Sequence, residues 1–342
     1  MIGNALLGES TLPGFARRVV ERKAQVNPGP FSFSELRERY YFCKLLGMLR
    51  RPIFPQFVFL LLFAVSAHAQ GRPSASEIQS IERRIQKSGA EVAVAFRTLD
   101  GQAKWFSRAD DVFHAASTMK IPVMIELFHQ VREGKVKLDD TLPIKNEFHS
   151  LVDGSIFTLD PADDSETDLY KAAGQTRTLG QLCELMITVS SNFATNLLIE
   201  KLGVENIRAT VHGLGADGMN VLRGVEDNKA FEKGMNNTTT ARGLLILLEA
   251  VAKGQAVDAD SSRQMVEILA RQKFNEGIPA GLPAGTRVAH KTGEVTKIHH
   301  DAAIVYGPRP FVLVILVRGL AETKDSAALM AVVTRLLYRS VK

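Results

Sequence analysis

β-type sequence stands at the two ends of the chain beyond residue 70 and helical sequence fills the middle, an order that obliges the ends to meet. Glu91-Val92-Ala93-Val94-Ala95-Phe96-Arg97 is rich in strand formers, Leu99-Asp100-Gly101 turns, and residues 103–106 begin a partner strand. Far downstream, residues 286–292, 302–306 and 311–317 are again β-type, with Gly307-Pro308-Arg309-Pro310 turning between the last two. A lone hairpin is marginal in water, so the two groups are expected to share one antiparallel sheet. Helices flank them. Ser74-Ala75-Ser76-Glu77 is a capping-box pattern, with Ile78, Ile81 and Ile85 on one face and Gly89 to close the helix, and Leu329, Val332, Val333, Leu336 and Leu337 repeat at helical spacing near the C-terminus. The expected fold class is α/β (mixed α+β): an antiparallel sheet flanked by N- and C-terminal helices, with an all-helical lobe inserted between its halves.

Charge sorts the chain into a leader and a body. The 342 residues carry a formal net charge of +5, but residues 1–69 hold nine Lys/Arg against four Asp/Glu, so residues 70–342 are left with 33 of each sign and a net of zero. A neutral body gives no footprint for nucleic acid. Within the leader, Arg50-Arg51 precede the apolar run Phe57-Val58-Phe59-Leu60-Leu61-Leu62-Phe63-Ala64-Val65, and Ala67-His68-Ala69 stands before Gln70. That is the pattern of a signal peptide over 48–69, too short in its apolar part for an easy membrane crossing. The competing reading is an uncleaved anchor. Because Met48 lies just before the arginines, residues 1–47 are expected to be an upstream extension from a misassigned start. The mature body, 70–342, is then periplasmic or secreted, without stable membrane insertion. Cys183 is its single cysteine and lies in an apolar helical run, as a buried small hydrophobe would.

The chemistry begins at His114-Ala115-Ala116-Ser117-Thr118-Met119-Lys120-Ile121-Pro122, where small residues turn into an apolar helix. Three residues apart at a helix start, Ser117 and Lys120 share one face, so the Lys120 amine can reach the serine hydroxyl. The first unpaired N–H groups of the helix favour an oxyanion nearby, and Pro122 falls where a missing N–H costs little. His114 reads as a packed or hydrogen-bonded support. In 189–198 the triplet Ser190-Ser191-Asn192 interrupts helical sequence and is expected on a tight connection, its side chains facing a cleft. His290-Lys291-Thr292-Gly293-Glu294 closes a strand in glycine, which lets a substrate backbone lie alongside, while Lys291 supplies fixed positive charge. The acidic run 160–168 reads as a solvated loop, and His299-His300-Asp301 as solvated turn residues or polar groups at the cleft edge rather than metal ligands.

Taken in order, Ser117-x-x-Lys120, Ser190-Ser191-Asn192 and Lys291-Thr292-Gly293 resemble the signature of the serine β-lactamases and penicillin-binding proteins, and from about Ser76 to Val341 the chain looks most like class A β-lactamases and related serine hydrolases. The resemblance implies that Ser117 is acylated, that Lys120 activates it, and that Ser190 relays a proton to the leaving nitrogen beside Lys291. It also implies substrate contacts from Asn192, Lys291, Thr292, Gly293 and Glu294, with an oxyanion hole from the backbone N–H groups of Ser117 and Glu294. No metal or cofactor is required. The expected activity is hydrolysis of a β-lactam amide by a monomer. The alternatives are a D-alanyl-D-alanine peptidase or esterase, acting on a peptidoglycan-peptide-like substrate in the first case, and a penicillin-binding module that does not turn over. Three departures stand out. Ser191 replaces an aspartate that supports the loop. Glu294 puts an acid where the family has a small or hydroxyl residue near the substrate carboxylate. Glu226, in Leu222-Arg223-Gly224-Val225-Glu226-Asp227-Asn228-Lys229-Ala230, is the best candidate for the deacylating base, but it lies three residues after Arg223 rather than two, and Ala230 takes the place of a water-holding amide. Glu226 therefore either holds the water or pairs with Arg223, with Asp227 as a lesser candidate base.

Overall fold

The computed structural model describes residues 73–341, so the leader lies outside the described residues. The first helix, α1 (Ala75–Ser88), starts with the expected capping box: Ser74 Oγ accepts the Glu77 N–H and the Glu77 carboxylate returns to the Ser74 N–H. It ends at Gly89 with φ +72°, a left-handed value that glycine adopts without strain. Strands β1 (Glu91–Thr98) and β2 (Lys104–Ser107) form the N-terminal hairpin. After the helical middle come β3 (Arg287–Val295), β4 (Ile298–Tyr306) and β5 (Phe311–Arg318), and then α8 (Thr323–Ser340); helices α2 to α7 belong to that middle and are introduced below. The five strands form one antiparallel sheet in the order β2-β1-β5-β4-β3, in which β1 pairs with β5 from Glu91 opposite Arg318 to Thr98 opposite Phe311. Strands from the two ends of the described residues thus meet at the centre of the sheet, and β3 is left as an edge strand.

Both faces of the sheet are covered, which is why 311–317 reads as an unbroken apolar run rather than an alternating one. Val92, Val94, Phe96, Leu313, Ile315 and Val317 pack toward Ile81 of α1 and Leu329, Met330, Val333 and Leu337 of α8. Their neighbours Ala93, Ala95, Val312, Val314 and Leu316 belong to the other core, shared with the inserted lobe. That lobe contains α2 (Lys120–Arg132), α3 (Leu179–Thr188), α4 (Asn192–Leu202), α5 (Val204–Gly213), α6 (Ala241–Ala252) and α7 (Ala259–Ala270). Helix α2 is its axis: every residue from Lys120 to Phe128 is buried, as expected of a helix packed on all sides. Pro122 sits in its first turn.

Two sequence expectations need correction. His299, His300 and Asp301 are not solvated turn residues but buried members of β4, paired with Glu294, Gly293 and Thr292 of β3. The β3–β4 turn is tighter than the sequence suggests, because both strands run further toward it, to Val295 and from Ile298. Nor is the acidic run wholly solvated, since Asp164 is buried.

Candidate active site

Ser117 lies on a single 3₁₀ turn (Ala116–Met119) that runs directly into α2. The turn is entered through Ala116 at φ +45°, a strained value for a residue with a Cβ, and the surroundings hold it there. The Ala116 N–H donates to His114 Nδ1 at 3.0 Å, and Thr118 Oγ1 donates to the Ala115 carbonyl at 2.6 Å. His300 then supports His114 from behind: its Nδ1 accepts the Val317 N–H, so Nε2 carries the proton given to the His114 carbonyl at 2.9 Å. Burial pulls the His300 imidazole down to about 4, so this strut stays neutral. His114 is the support that the sequence suggested, and His300 extends it.

Lys120 is fully buried beneath this turn. Its Nζ donates to the Ser190 carbonyl (2.6 Å), to Ser190 Oγ (3.1 Å) and to Asn192 Oδ1 (2.9 Å). These three bonds use every proton of an ammonium, and none of them goes to Ser117 Oγ, the partner that spacing alone suggested. Desolvation lowers Lys120 to about 7, against the opposing pull of Asp164 and Glu226. Lys291 approaches from the edge strand and donates from Nζ to Ser190 Oγ at 3.0 Å and to the Thr292 carbonyl at 2.9 Å. Burial, and after it the Lys120 charge, push its ammonium well below the usual range, with Asp301 pulling the other way. Ser190 Oγ is therefore shared by two buried amines. Its backbone, at φ +61°, is bent into the left-handed region by the tight α3–α4 connection.

Gly293 brings the strand against the Ser117 turn. A Cβ built on it would stand 3.0 Å from both the Ser117 and Thr118 nitrogens, tighter than an ordinary contact, so glycine lets the strand and the turn approach this closely without either giving way. Thr292 is buried and Glu294 exposed at the end of the site strand, and Glu294 Oε1 accepts from Thr323 Oγ1 at 2.5 Å at the start of α8. An acid there suits a helix N-terminus.

Glu226 is brought to the same cleft by a loop pinned at several points. Asn196 of α4 donates to the Val225 carbonyl and accepts its N–H, at 2.8 and 2.7 Å, and Asn237 bonds the backbone of Leu222 and Arg223. At φ +61°, Glu226 accepts from Asn192 Nδ2 at 3.2 Å. Partial burial, with Asp163 and Asp164 adding to it, raises its carboxyl above the ordinary range despite that bond. The alternative pairing with Arg223 does not form: Arg223 donates to the Met235 and Gly224 carbonyls and stacks over Phe231. Asp227 is taken as well, since its carboxylate accepts from Ser150 Oγ and the Leu151 and Ala230 N–H groups and caps the short helix Asn228–Glu232. The structure thus brings Ser117, Lys120, Ser190, Asn192, Glu226, Lys291, Thr292 and Gly293 to one place. The sequence reading missed the roles of Asp164 and His300, whose partners at the site, Ser191 and Phe193 for the first and His114 and Val317 for the second, lie far away along the chain.

Cys183 is buried, and burial pushes its thiol up. Among the described residues no group of three or more His, Cys, Asp or Glu is placed to hold a metal ion, and no helix is long and apolar enough to cross a membrane.

Comparison with known proteins gives the same outline. The chain is similar to PBP-A at 27% identity with a TM-score of 0.68, over 79% of this chain and 97% of that one, and a mutant of PBP-A is known as an acyl-enzyme complex with penicillin G. It is similar to the ancestral class A β-lactamase of Gram-negative bacteria at 26% identity, TM-score 0.67, over 77% and 99% of the two chains. A β-lactamase from Sphaerobacter thermophilus, at 23% identity and TM-score 0.67 over 78% and 97%, shares the fold. The model of the β-lactamase enzyme family matches residues 73–341, and with the three motifs gathered on this fold the chain belongs to that family of serine hydrolases.

Proposed function

We propose that the chain hydrolyses a β-lactam amide through an acyl-enzyme on Ser117. The observation that carries this reading is the bridge Lys120 Nζ–Ser190 Oγ–Lys291 Nζ, 3.1 and 3.0 Å, immediately beneath the Ser117 turn. A buried amine lowered to about 7 is free to accept a proton near neutrality. Lys120 takes the Ser117 proton as the hydroxyl attacks the lactam carbonyl, and the Ser117 and Glu294 N–H groups hold the oxyanion. Ser190, placed between the two amines, passes a proton to the leaving nitrogen. Each preorganised oxyanion donor contributes about 10²–10³ in rate. Glu226, bonded to Asn192 at the cleft, is the group that activates water for release.

A second reading has its own support. Buried Ala230 offers no amide to hold that water, which favours slow release and a penicillin-binding role. Peptide amides and esters suit the same machinery, because a fold does not fix the acyl donor. Export follows from the leader pattern, and intact mass of exported protein beginning at Gln70 would support it, whereas a mass retaining 48–69 would favour an anchor. The test of activity is to incubate the mature chain with a chromogenic cephalosporin and a fluorescent penicillin. Covalent label with steady colour supports the hydrolase; label with a single burst supports the binding module; neither signal overturns both.

A further inference from the structure

The turn Ser190-Ser191-Asn192 carries no acid of its own, yet a carboxylate lies against it. It belongs to Asp164, some two dozen residues upstream in the acidic run, and it is buried. One oxygen, Oδ2, accepts the Phe193 N–H at 2.8 Å, the Tyr170 hydroxyl at 3.0 Å and Ser191 Oγ at 3.4 Å; the other accepts the Glu166 N–H at 3.2 Å. Phe193 is in the first turn of α4, where N–H groups have no helical partner and an anion is favoured. Asp163, the residue before, gives its carbonyl to Asn192 Nδ2 at 3.4 Å. The insert is therefore fastened to both sides of the residues that hold Lys120.

We propose that Asp164 is a positioning residue of the Ser117 site: delivered from the insert, its carboxylate fixes the Ser190-Ser191-Asn192 turn and supplies the negative charge that this turn lacks. Part of its effect is electrostatic. Lys120 is faced by Ser190 and Asn192 from the turn, by Lys291 from β3, with Asp301 behind it, by Glu226 from its loop, and by Asp164 from the insert. Among these, Asp164 and Glu226 favour the ammonium, and Glu226 also meets substrate water in the proposed mechanism. Asp164 meets neither substrate nor water there, so its charge can be removed without touching the reacting atoms. The burial of Tyr170 and its bond to Asp164 both disfavour the phenolate, so Tyr170 stays a donor to this carboxylate.

The kinetic part rests on the acyl-enzyme reading, so the test has one arm that does not. In the full chain labelled with [ε-¹³C]lysine, the Lys120 signal, assigned by its loss in Lys120→Arg, is titrated in wild type, in Asp164→Asn and in Asp164→Asn/Ser191→Asp. Asp164→Asn is expected to move the Lys120 midpoint toward acid by about 1 pH unit, and Ser191→Asp to return it toward wild type. The acid limb of penicillin labelling moves with it. An unchanged midpoint in Asp164→Asn, a double variant no different from the single one, or a loss of labelling equal at every pH would overturn the assignment, the last because a merely structural prop produces it. A wild-type chain whose Lys120 titrates as described but which no penicillin labels would sink the proposed activity and leave Asp164 where it is placed here.

Discussion

At the residue level the site depends on a few side chains whose environments set their protonation. Lys120, lowered to about 7 from 10.5, is mostly ammonium below that pH and mostly amine above it. Acylation should therefore rise with pH through about 7 and level off above it, and stopped-flow labelling across pH 5–9 checks this; a midpoint near 10 would mean that the lysine is solvated. Glu226 works as a base only when ionised, and its carboxyl is raised above the ordinary range, so release should lose rate on the acid side at higher pH than an exposed glutamate would. Glu226→Gln should leave acylation fast and lengthen the adduct's lifetime by about 10²–10⁴-fold, the usual worth of a general base. Mass spectrometry of the quenched enzyme measures it, and equal lifetimes would assign release to another group. The three motifs were legible because their residues are close in sequence and their types are chemically marked. Asp164 was not, because its burial depends on partners, Ser191 and Phe193, that no local periodicity connects to it.

Among the elements, the edge strand β3 and the Glu226 loop do the positioning. Gly293→Ala would place a Cβ 3.0 Å from the Ser117 and Thr118 backbone nitrogens, so the strand or the Ser117 turn must give way by a few tenths of an ångström. Acylation should fall by about 10²-fold, in line with the loss of one oxyanion donor, while the melting temperature changes little; labelling at the wild-type rate would contradict the close approach. Asn196→Ala removes both bonds that pin Val225, at about 1 kcal/mol each. Release should slow more than acylation, and comparing the two rates with a denaturant titration separates the local effect from global loss. Helix α1, its capping box and the hairpin matched their sequence signals, since caps and two-residue periods are local. The start of β4 did not: polar His299-His300-Asp301 reads as a turn, but the three lie buried in the strand, where His290 Nδ1 and the Ile278 N–H give Asp301 partners and the His114 carbonyl gives His300 one.

For the described residues as a whole, one sheet drawn from both their ends carries two cores, and the site lies where its edge meets the inserted lobe. The core that joins the sheet to α1 and α8 is remote from the chemistry, so it can be weakened separately. Leu313→Ala, fully buried there, should cost about 2–5 kcal/mol in a denaturant melt while labelling of the folded fraction is retained. The fold class was legible in the order of strands and helices, whereas the identity of the acyl donor was not, because it depends on what the rim admits. The most direct test of a serine acyl-enzyme is to react Glu226→Gln with penicillin, quench it, digest it and locate the added mass. The adduct is predicted on the peptide containing Ser117 and absent from Ser117→Ala/Glu226→Gln; an adduct on another residue, or one that survives the loss of the Ser117 hydroxyl, would contradict it.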